Sequence, residues 1–458
     1  MKFDLPEEVR FIIDALEKNG HDAYVVGGCV RDSLAGNAPK DWDICTSALP
    51  EQTMECFEGC PVFGTGLQHG TVTLISNHKP YEITTFRHDG DYSDNRRPDT
   101  VEFVKELKED MARRDFTINA MAFNPGVGVI DLFGGKEDLR NGIIKCVGDA
   151  SGRFQEDALR IIRAMRFASE LGFSIDDDTA RAMLEKKALL RNIAVERIAA
   201  ELDKLIVGMK ASETISRHIS VITEVIPELI PTIGFEQNNP YHCFDVFAHT
   251  MKSVDSSPKD VVIRLTMLFH DIAKPQCYTE KDGVGHFYGH PKVSSEIARQ
   301  ILSRLKYDND TKFAVTQLVF YHDTDIDQNS RNVKRWLNRI GEERLRQLLL
   351  VKRSDAIAQS PEFANQKLAE LENIEHIIDK VIAEQHCFSL KGLAVDGKDL
   401  IAAGIPEGAK IGAILKTLVD AVIEEQVEND KDKLMDMVRT FMGAVREGSG
   451  MKAEGDGG

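Results

Sequence analysis

Two carboxylates one residue apart, Asp41 and Asp43, stand in Lys-Asp-Trp-Asp-Ile-Cys-Thr, thirteen residues after the pair Gly27-Gly28. In an extended chain, side chains two apart leave the same face, with Cα atoms roughly 6–7 Å apart. Such a pair can grip a hard cation, and magnesium is held by one or two carboxylates together with substrate phosphates. Gly27-Gly28 follows the apolar run Ala23–Val26 and precedes Cys29–Leu34, so a strand, a glycine turn and a short helix are expected. That turn offers bare backbone N–H groups at a helix N-terminus, where anions bind. A phosphate cradle facing a carboxylate pair is the equipment of nucleotidyl transfer. Taken singly, each part is also an ordinary turn or a solvated strand face.

Three further groups extend this chemistry. Glu82, in Tyr-Glu-Ile-Thr-Thr-Phe-Arg, either adds a third carboxylate to the magnesium pair or faces water. Arg113, Arg114, Asp115 and Asn119 read either as a helix start capped by Asp115 or as a phosphate and ribose clamp. Asp157 and Arg160, three apart, are expected on one face of a helix opening at Arg153. An acceptor beside guanidinium donors matches cytosine and adenine, which present an amino group beside a ring nitrogen, and mismatches guanine and uracil. Read alone, that pair is equally an intrahelical salt bridge of little worth.

The run Gly-Gly-x-Val-Arg-Asp-x-Leu-x-Gly, followed by Asp-x-Asp-Ile-x-Thr, resembles the first motif of the class II tRNA CCA-adding nucleotidyltransferases and their bacterial poly(A) polymerase relatives. Arg-Arg-Asp at 113–115 and Glu-Asp-x-x-Arg at 156–160 resemble the second and fourth motifs, and Glu196-Arg197 a supporting one. The resemblance covers about residues 1–440 and implies template-independent addition of C, C and A to the 3′ end of tRNA from CTP and ATP. It implies Asp41 and Asp43 as catalytic ligands of two Mg²⁺ ions that activate the 3′-hydroxyl and stabilise departing pyrophosphate. Gly27, Gly28, Arg31, Arg113, Arg114, Asp115, Asn119, Asp157, Arg160, Arg163 and Arg166 are then the nucleotide-binding residues. In such enzymes a loop at His88–Pro98, polar and mobile by composition here, accompanies the switch from adding C to adding A. Poly(A) polymerase is the nearest rival, against which the lack of a long basic C-terminal extension counts. Addition of the terminal A alone is not separated from the full activity. A nucleotide sensor is the remote alternative, disfavoured by the intact Asp41 and Asp43.

A second constellation lies downstream. His-Asp occurs four times, but at 270–271 it sits on an apolar helix, Arg-Leu-Thr-Met-Leu-Phe-His-Asp-Ile-Ala-Lys-Pro, where an unpaired charge is costly. His249 lies one expected helix earlier and Asp355 later. This order resembles the HD phosphohydrolase superfamily, with His290 and His322 available for a second metal. Imidazole and carboxylate ligands suit a transition metal, whose bound water attacks phosphate esters. The other reading is a decayed HD fold that keeps these residues for packing.

The elements that must position these groups follow from pattern. An α+β class is expected: a nucleotidyltransferase head over 1–147 with a mixed sheet, then all-α segments comprising a neck at 148–226, an HD domain at 241–360, and a tRNA-binding body and tail at 361–445. Asp4 and Pro6 mark the start of an amphipathic first helix, the prolines and asparagines of 227–241 a linker, 361–385 a charged connector, and 446–458 a disordered end. Near 389–412, Gly and Lys beside a helix start either meet tRNA phosphates or form a solvated turn. Length and composition suit a multidomain globular protein with ample core. The net charge of −17 runs against the usual basic footprint of nucleic-acid binders and requires any basic face to be local. No apolar run reaches transmembrane length. Eight scattered cysteines without a Cys-x-x-Cys pair argue against a disulfide framework and for a reducing cytoplasm.

Overall fold

The computed structural model describes residues 3–90, 100–239, 243–384 and 387–450, excluding the side chains of 65 and 441–450. Most of the loop expected at 88–98, and Pro240 of the expected linker, lie outside the described residues. The chain forms two compact units: residues 1–233 with 259–264 and 299–312, and residues 234–258 with 265–298 and 313 onward. The expected head and neck stretches thus lie within one unit.

The first unit is built on strands β1 (Ala23–Val26), β2 (Asp43–Thr46), β3 (Val62–Gly66), β4 (Thr71–Ser76), β5 (Lys79–Thr85), β8 (Met121–Asn124) and β9 (Gly128–Asp131), in the order β3-β4-β5-β2-β1-β8-β9. The sheet is mixed: β1 runs antiparallel to β2 and β8, and β2 runs parallel to β5. Alternation along the strands divides the core between two faces. On one face Val25, Ile44 and Ile83 pack with Val9, Ile12, Ile13 and Leu16 of the first helix, Glu7–Lys18. On the other, Val26, Cys45 and Ala122 meet Phe86 and Met111. Pro6 occupies the cap position of that helix, with no side-chain capping bond. The short strands β6 (Arg87–Asp89) and β7 (Val101–Phe103) pair antiparallel and hold the two ends of the expected mobile loop together.

Helices follow, as the 3.6-residue periodicity requires, but β10 (Ile143–Ile144) and β11 (Ser174–Ile175) pair parallel within this region. Helix Leu159–Leu171 packs on helix Val195–Ile206, which carries Glu196 and Arg197. The expected linker includes a 3₁₀ helix, Pro227–Thr232, with Leu229 buried.

The second unit is helical, apart from the hairpin of β12 (Thr279–Lys281) and β13 (Val284–His286). Helix Pro361–Ala383 is not a free connector. Its Leu371, Ile374, Ile378 and Val381, at helical spacing, are buried where it packs against helices Glu342–Ile357 and Ser330–Ile340. A separate core of Val395, Leu400, Ile405, Leu418, Leu434 and Val438 closes the C-terminal helices. The last of these runs from Lys431 to Gly450, so residues 446–450 are helical rather than disordered, while 451–458 lie outside the described residues. Among the described residues no helix is long and apolar enough to cross a membrane.

Candidate active site and a second candidate metal centre

At the end of β1, Gly27 takes φ = 79°, a left-handed conformation that favours glycine. Its N–H bonds the Met121 carbonyl, and its own carbonyl accepts from Arg31 N–H to start the helix Gly28–Leu34. A Cβ at Gly27 would lie 3.2 Å from Arg114 Nη1 and 3.9 Å from Asp43 Oδ2. The glycine therefore lets a cation and a carboxylate approach the backbone together.

Asp43 opens β2 opposite Val26. Asp41 lies outside that strand, two residues before it, so the expected single-strand presentation does not hold. Asp41, Asp43 and Glu82 nevertheless line one cavity of about 540 Å³ together with Lys40 and Lys79. Glu82 reaches it because β5 lies beside β2, with Ile83 aligned to Ile44. Desolvation raises the Asp43 carboxyl above its usual range, Arg114 opposes the rise and Asp41 adds to it. Paired carboxylates whose charge is this poorly compensated fit a divalent cation.

Around this edge runs a chain of ion pairs. Asp110, fully buried, accepts from Arg113 at 2.7 and 2.9 Å and from Arg114 at 3.2 Å. Arg31 binds Asp32 and gives Nη1–H to Asn119 Oδ1 at 2.8 Å. Asn119 donates in turn to Asp115, whose other oxygen takes Arg163 through Nε and Nη2 at 3.0 and 2.6 Å. Burial opposes the Asp115 charge, but Arg163 outweighs it and holds the carboxyl at about 2. Arg163 and Arg166 both reach Glu201, and Arg31, Arg163 and Arg166 surround the Phe167 ring, Arg166 at 3.9 Å. Three guanidinium groups are gathered on one aromatic ring, each held by a carboxylate: Arg31 by Asp32, Arg163 by Asp115 and Arg166 by Glu201.

Asp157 and Arg160 do not share a continuous helix. One helix ends at Glu156, Asp157 is extended (φ −131°, ψ 101°), and the next begins at Leu159. The Asp157 side chain accepts Leu159 N–H, a local bond that competes with helix continuation. Asp157 faces Arg197 at 3.4 Å, while Arg160 takes Glu156 at 2.7 Å and the carbonyls of Arg153 and Arg113. Next to them a cavity of about 780 Å³ is lined by Arg113, Arg153, Glu156, Asp89 and Thr100. Asp110, Arg153 and Glu201 were missed by the motif reading. Asp110 was findable, since it stands three and four residues before Arg113 and Arg114.

In the second unit the expected ligands converge. His249 Nδ1 bonds Ala358 O, His270 Nδ1 Met267 O, His290 Nδ1 Phe287 O and His322 Nδ1 Val319 O, at 2.7–3.2 Å. A neutral ring that donates from Nδ1 leaves its Nε2 lone pair free to ligate. The Nε2 atoms meet in pairs, His249 with His270 and His290 with His322, each at 3.3 Å. Asp355 Oδ1 is 2.9 Å from His249 and 3.6 Å from His270. Asp271 spans the two sets: Oδ1 lies 3.2 Å from His290 and 3.6 Å from His322, and Oδ2 lies 3.2 Å from His270 and 3.5 Å from His249. Four imidazoles aimed at one another, with one carboxylate between, fit two cations joined by a bridging ligand. Burial disfavours charge on His270, but Asp271 and Asp355 overcome it and raise the ring to about 10, a measure of how strongly the carboxylates draw positive charge. Lys274, buried and 2.7 Å from Asp271 Oδ2, was not singled out from sequence.

The mixed sheet, its glycine turn and the flanking carboxylates define a nucleotidyltransferase with a poly(A)-polymerase-type head. Residues 23–145 match the family model "Poly A polymerase head domain", 172–229 "Probable RNA and SrmB- binding site of polymerase A", and 279–438 a model of tRNA nucleotidyltransferase domain 2. The CCA-adding enzyme of Lactiplantibacillus plantarum is 33% identical over 429 residues, 93% of this chain and 94% of that one. The CCA-adding enzyme of Geobacillus stearothermophilus is 49% identical over 209 residues, 46% of this chain and 51% of that one. The crystal structure of the Bacillus stearothermophilus CCA-adding enzyme in complex with CTP superposes with a TM-score of 0.70 at 30% identity, covering 96% of this chain and all of that one. That of Thermotoga maritima complexed with tRNA shares the fold (TM-score 0.60, 18% identity, 95% and 96% covered). The chain belongs to the CCA-adding enzyme family.

Proposed function

We propose that the first unit adds C, C and A to the 3′ end of tRNA from CTP and ATP, without a template and in the cytoplasm. The observation that carries the reading is the approach of Asp43 and Arg114 to the Gly27 turn, with Asp41 lining the same cavity as Asp43, which supports a cation and a phosphate being held at one edge. Asp41 and Asp43 hold the divalent ions, Glu82 standing third in the same cavity; when bound, such ions activate the attacking hydroxyl and neutralise the departing pyrophosphate. The backbone of Gly27-Gly28 and the Arg31 guanidinium receive the triphosphate. Arg113 and Arg114, fixed by Asp110, extend that contact, while Asp115 and Asn119, locked between Arg163 and Arg31, set the sugar's position. Arg163 and Arg166 supply the remaining positive charge. Asp157 and Arg160 read the base edge, Arg160 held extended by Glu156 and two carbonyls so that little side-chain entropy is lost on binding. Positioning and charge neutralisation provide most of the acceleration, because the reaction forms no covalent bond to the protein.

The test is incubation with tRNA ending at the discriminator base, with each labelled nucleotide singly and then together. Extension that stops after C-C-A supports the proposal. A long A tail favours poly(A) polymerase, addition only to tRNA already ending in C-C an A-adding enzyme, and no incorporation a sensor.

A second activity is favoured by the convergent Nε2 atoms: His249, His270 and Asp355 on one side, and His290 and His322 on the other, with Asp271 between, form an HD-type metal centre that hydrolyses phosphate esters. Transition-metal content of the purified chain, and its loss in His270→Ala, test it.

A further inference from the structure

The second centre opens into a cavity of about 280 Å³ whose lining includes Asp271, His290, His322 and Lys274, and also His286, the last residue of the hairpin β12–β13, and Tyr288 in the turn that follows it. Tyr288 is 77% exposed, the highest value among the exposed large hydrophobic side chains of the described residues. A large aromatic ring left in water forgoes most of the stabilisation that burial brings. Its position is nonetheless defined. The ring stacks on His286 with centroids 5.3 Å apart and planes 8° from parallel, and its hydroxyl lies 3.4 Å from His286 Nδ1. The same hairpin is tied to the ligand set, since the Phe287 carbonyl orients His290 and the Phe287 ring lies over Lys274 Nζ at 5.3 Å. The stem is anchored by Gly285, whose N–H bonds the Asn238 carbonyl and where a Cβ would collide with the Gln237 carbonyl at 2.2 Å.

A flat, solvent-facing aromatic pair two residues from a ligand histidine is suited to stacking a nucleobase, which every base accepts through its π-face. We propose that Tyr288, backed by His286, is a nucleobase platform of the second centre, so that the ester taken there belongs to a nucleoside phosphate, free or at an RNA end, rather than to a base-free phosphate. The proposal rests on the hydrolase reading for what happens to the phosphate, but the platform itself depends only on the hairpin.

The experiment uses the full chain loaded with Mn²⁺ and measures the affinity of 3′-AMP, adenosine and ribose 5-phosphate by calorimetry, in the wild type, Tyr288→Ala and Tyr288→Trp. Stacking of one base corresponds to about ten- to a hundredfold in affinity. The expected result is 3′-AMP bound at least about tenfold tighter than ribose 5-phosphate, the margin lost in Tyr288→Ala and retained in Tyr288→Trp. Because the difference between the two Tyr288 variants is read, nucleotide held by the head does not enter it. Equal affinity for AMP in wild type and Tyr288→Ala overturns the proposal. If Tyr288→Ala weakens AMP and adenosine alike, and the phosphate and Mn²⁺ add nothing, the platform stands and the metal-centre reading falls. A trinucleotide with a 3′-phosphate, read in the same way, separates an RNA end from a free nucleotide.

Discussion

Arg163 grips one oxygen of Asp115 with both Nε and Nη2, at 3.0 and 2.6 Å, from a helix 48 residues further along the chain. Through Asn119 and Arg31 this bond connects that helix to the glycine turn, so the residues of three separate motifs form one hydrogen-bonded row. Removing Arg163 leaves Asp115 with the Asn119 amide and the Phe116 N–H as donors. Arg163→Met is expected to cost about 1–3 kcal/mol, and Asp115→Asn less because the amide still accepts. Urea unfolding of the two single variants and the double variant, combined as a cycle, measures the coupling.

The same carboxyl sets an acid dependence. Its folded pKa of about 2 lies below the ordinary 3.8. A depressed carboxyl contributes stability that is complete above its unfolded pKa and is lost as pH falls through the folded one. Over pH 4 to 2, therefore, the wild type loses about 2 kcal/mol that Asp115→Asn does not lose, each pKa unit being worth about 1.4 kcal/mol. Denaturation midpoints at successive pH values check this.

Asp41→Ala and Asp43→Ala each remove a carboxylate from the cavity that Glu82 shares. Each is expected to lower nucleotide incorporation on the order of 10²–10³-fold, as loss of a preorganised charge does, with circular dichroism unchanged. Chelation should abolish incorporation and Mg²⁺ restore it. Glu82→Gln raising the Mg²⁺ concentration needed for half-maximal rate would place Glu82 among the ligands; an unchanged requirement would leave it outside.

Gly27→Ala forces a side chain into the left-handed region and toward Arg114. A loss of about 1–3 kcal/mol in stability is expected, with KM for CTP and ATP raised more than kcat falls. Thermal melts and steady-state kinetics decide.

His270→Ala together with His322→Ala removes one imidazole from each of the two candidate ligand groups of the second centre. Metal content measured by mass spectrometry should fall, while CCA addition by the first unit persists. Loss of both together would mean that the double variant has unfolded, which the melting curve would show.

Local sequence determined much of this protein. The run Ala23–Val26 is a strand with the expected bounds, because apolar periodicity and flanking breakers are local properties. The residues expected to converge in the second unit were legible too: His249, His270, Asp271, His290, His322 and Asp355 meet although they span more than a hundred residues. Tertiary structure decided what periodicity cannot encode. The bond from Asp157 to Leu159 N–H breaks a helix that reads as continuous, and sends Arg160 to Glu156 instead. Glu82 reaches the Asp41–Asp43 cavity only through the parallel pairing of β5 with β2, a long-range register absent from either strand alone. Which nitrogen of His249 faces inward is likewise set by a distant carbonyl, that of Ala358, since a hydrogen bond at Nδ1 is what frees Nε2, whereas His270, His290 and His322 each bond a carbonyl three residues earlier.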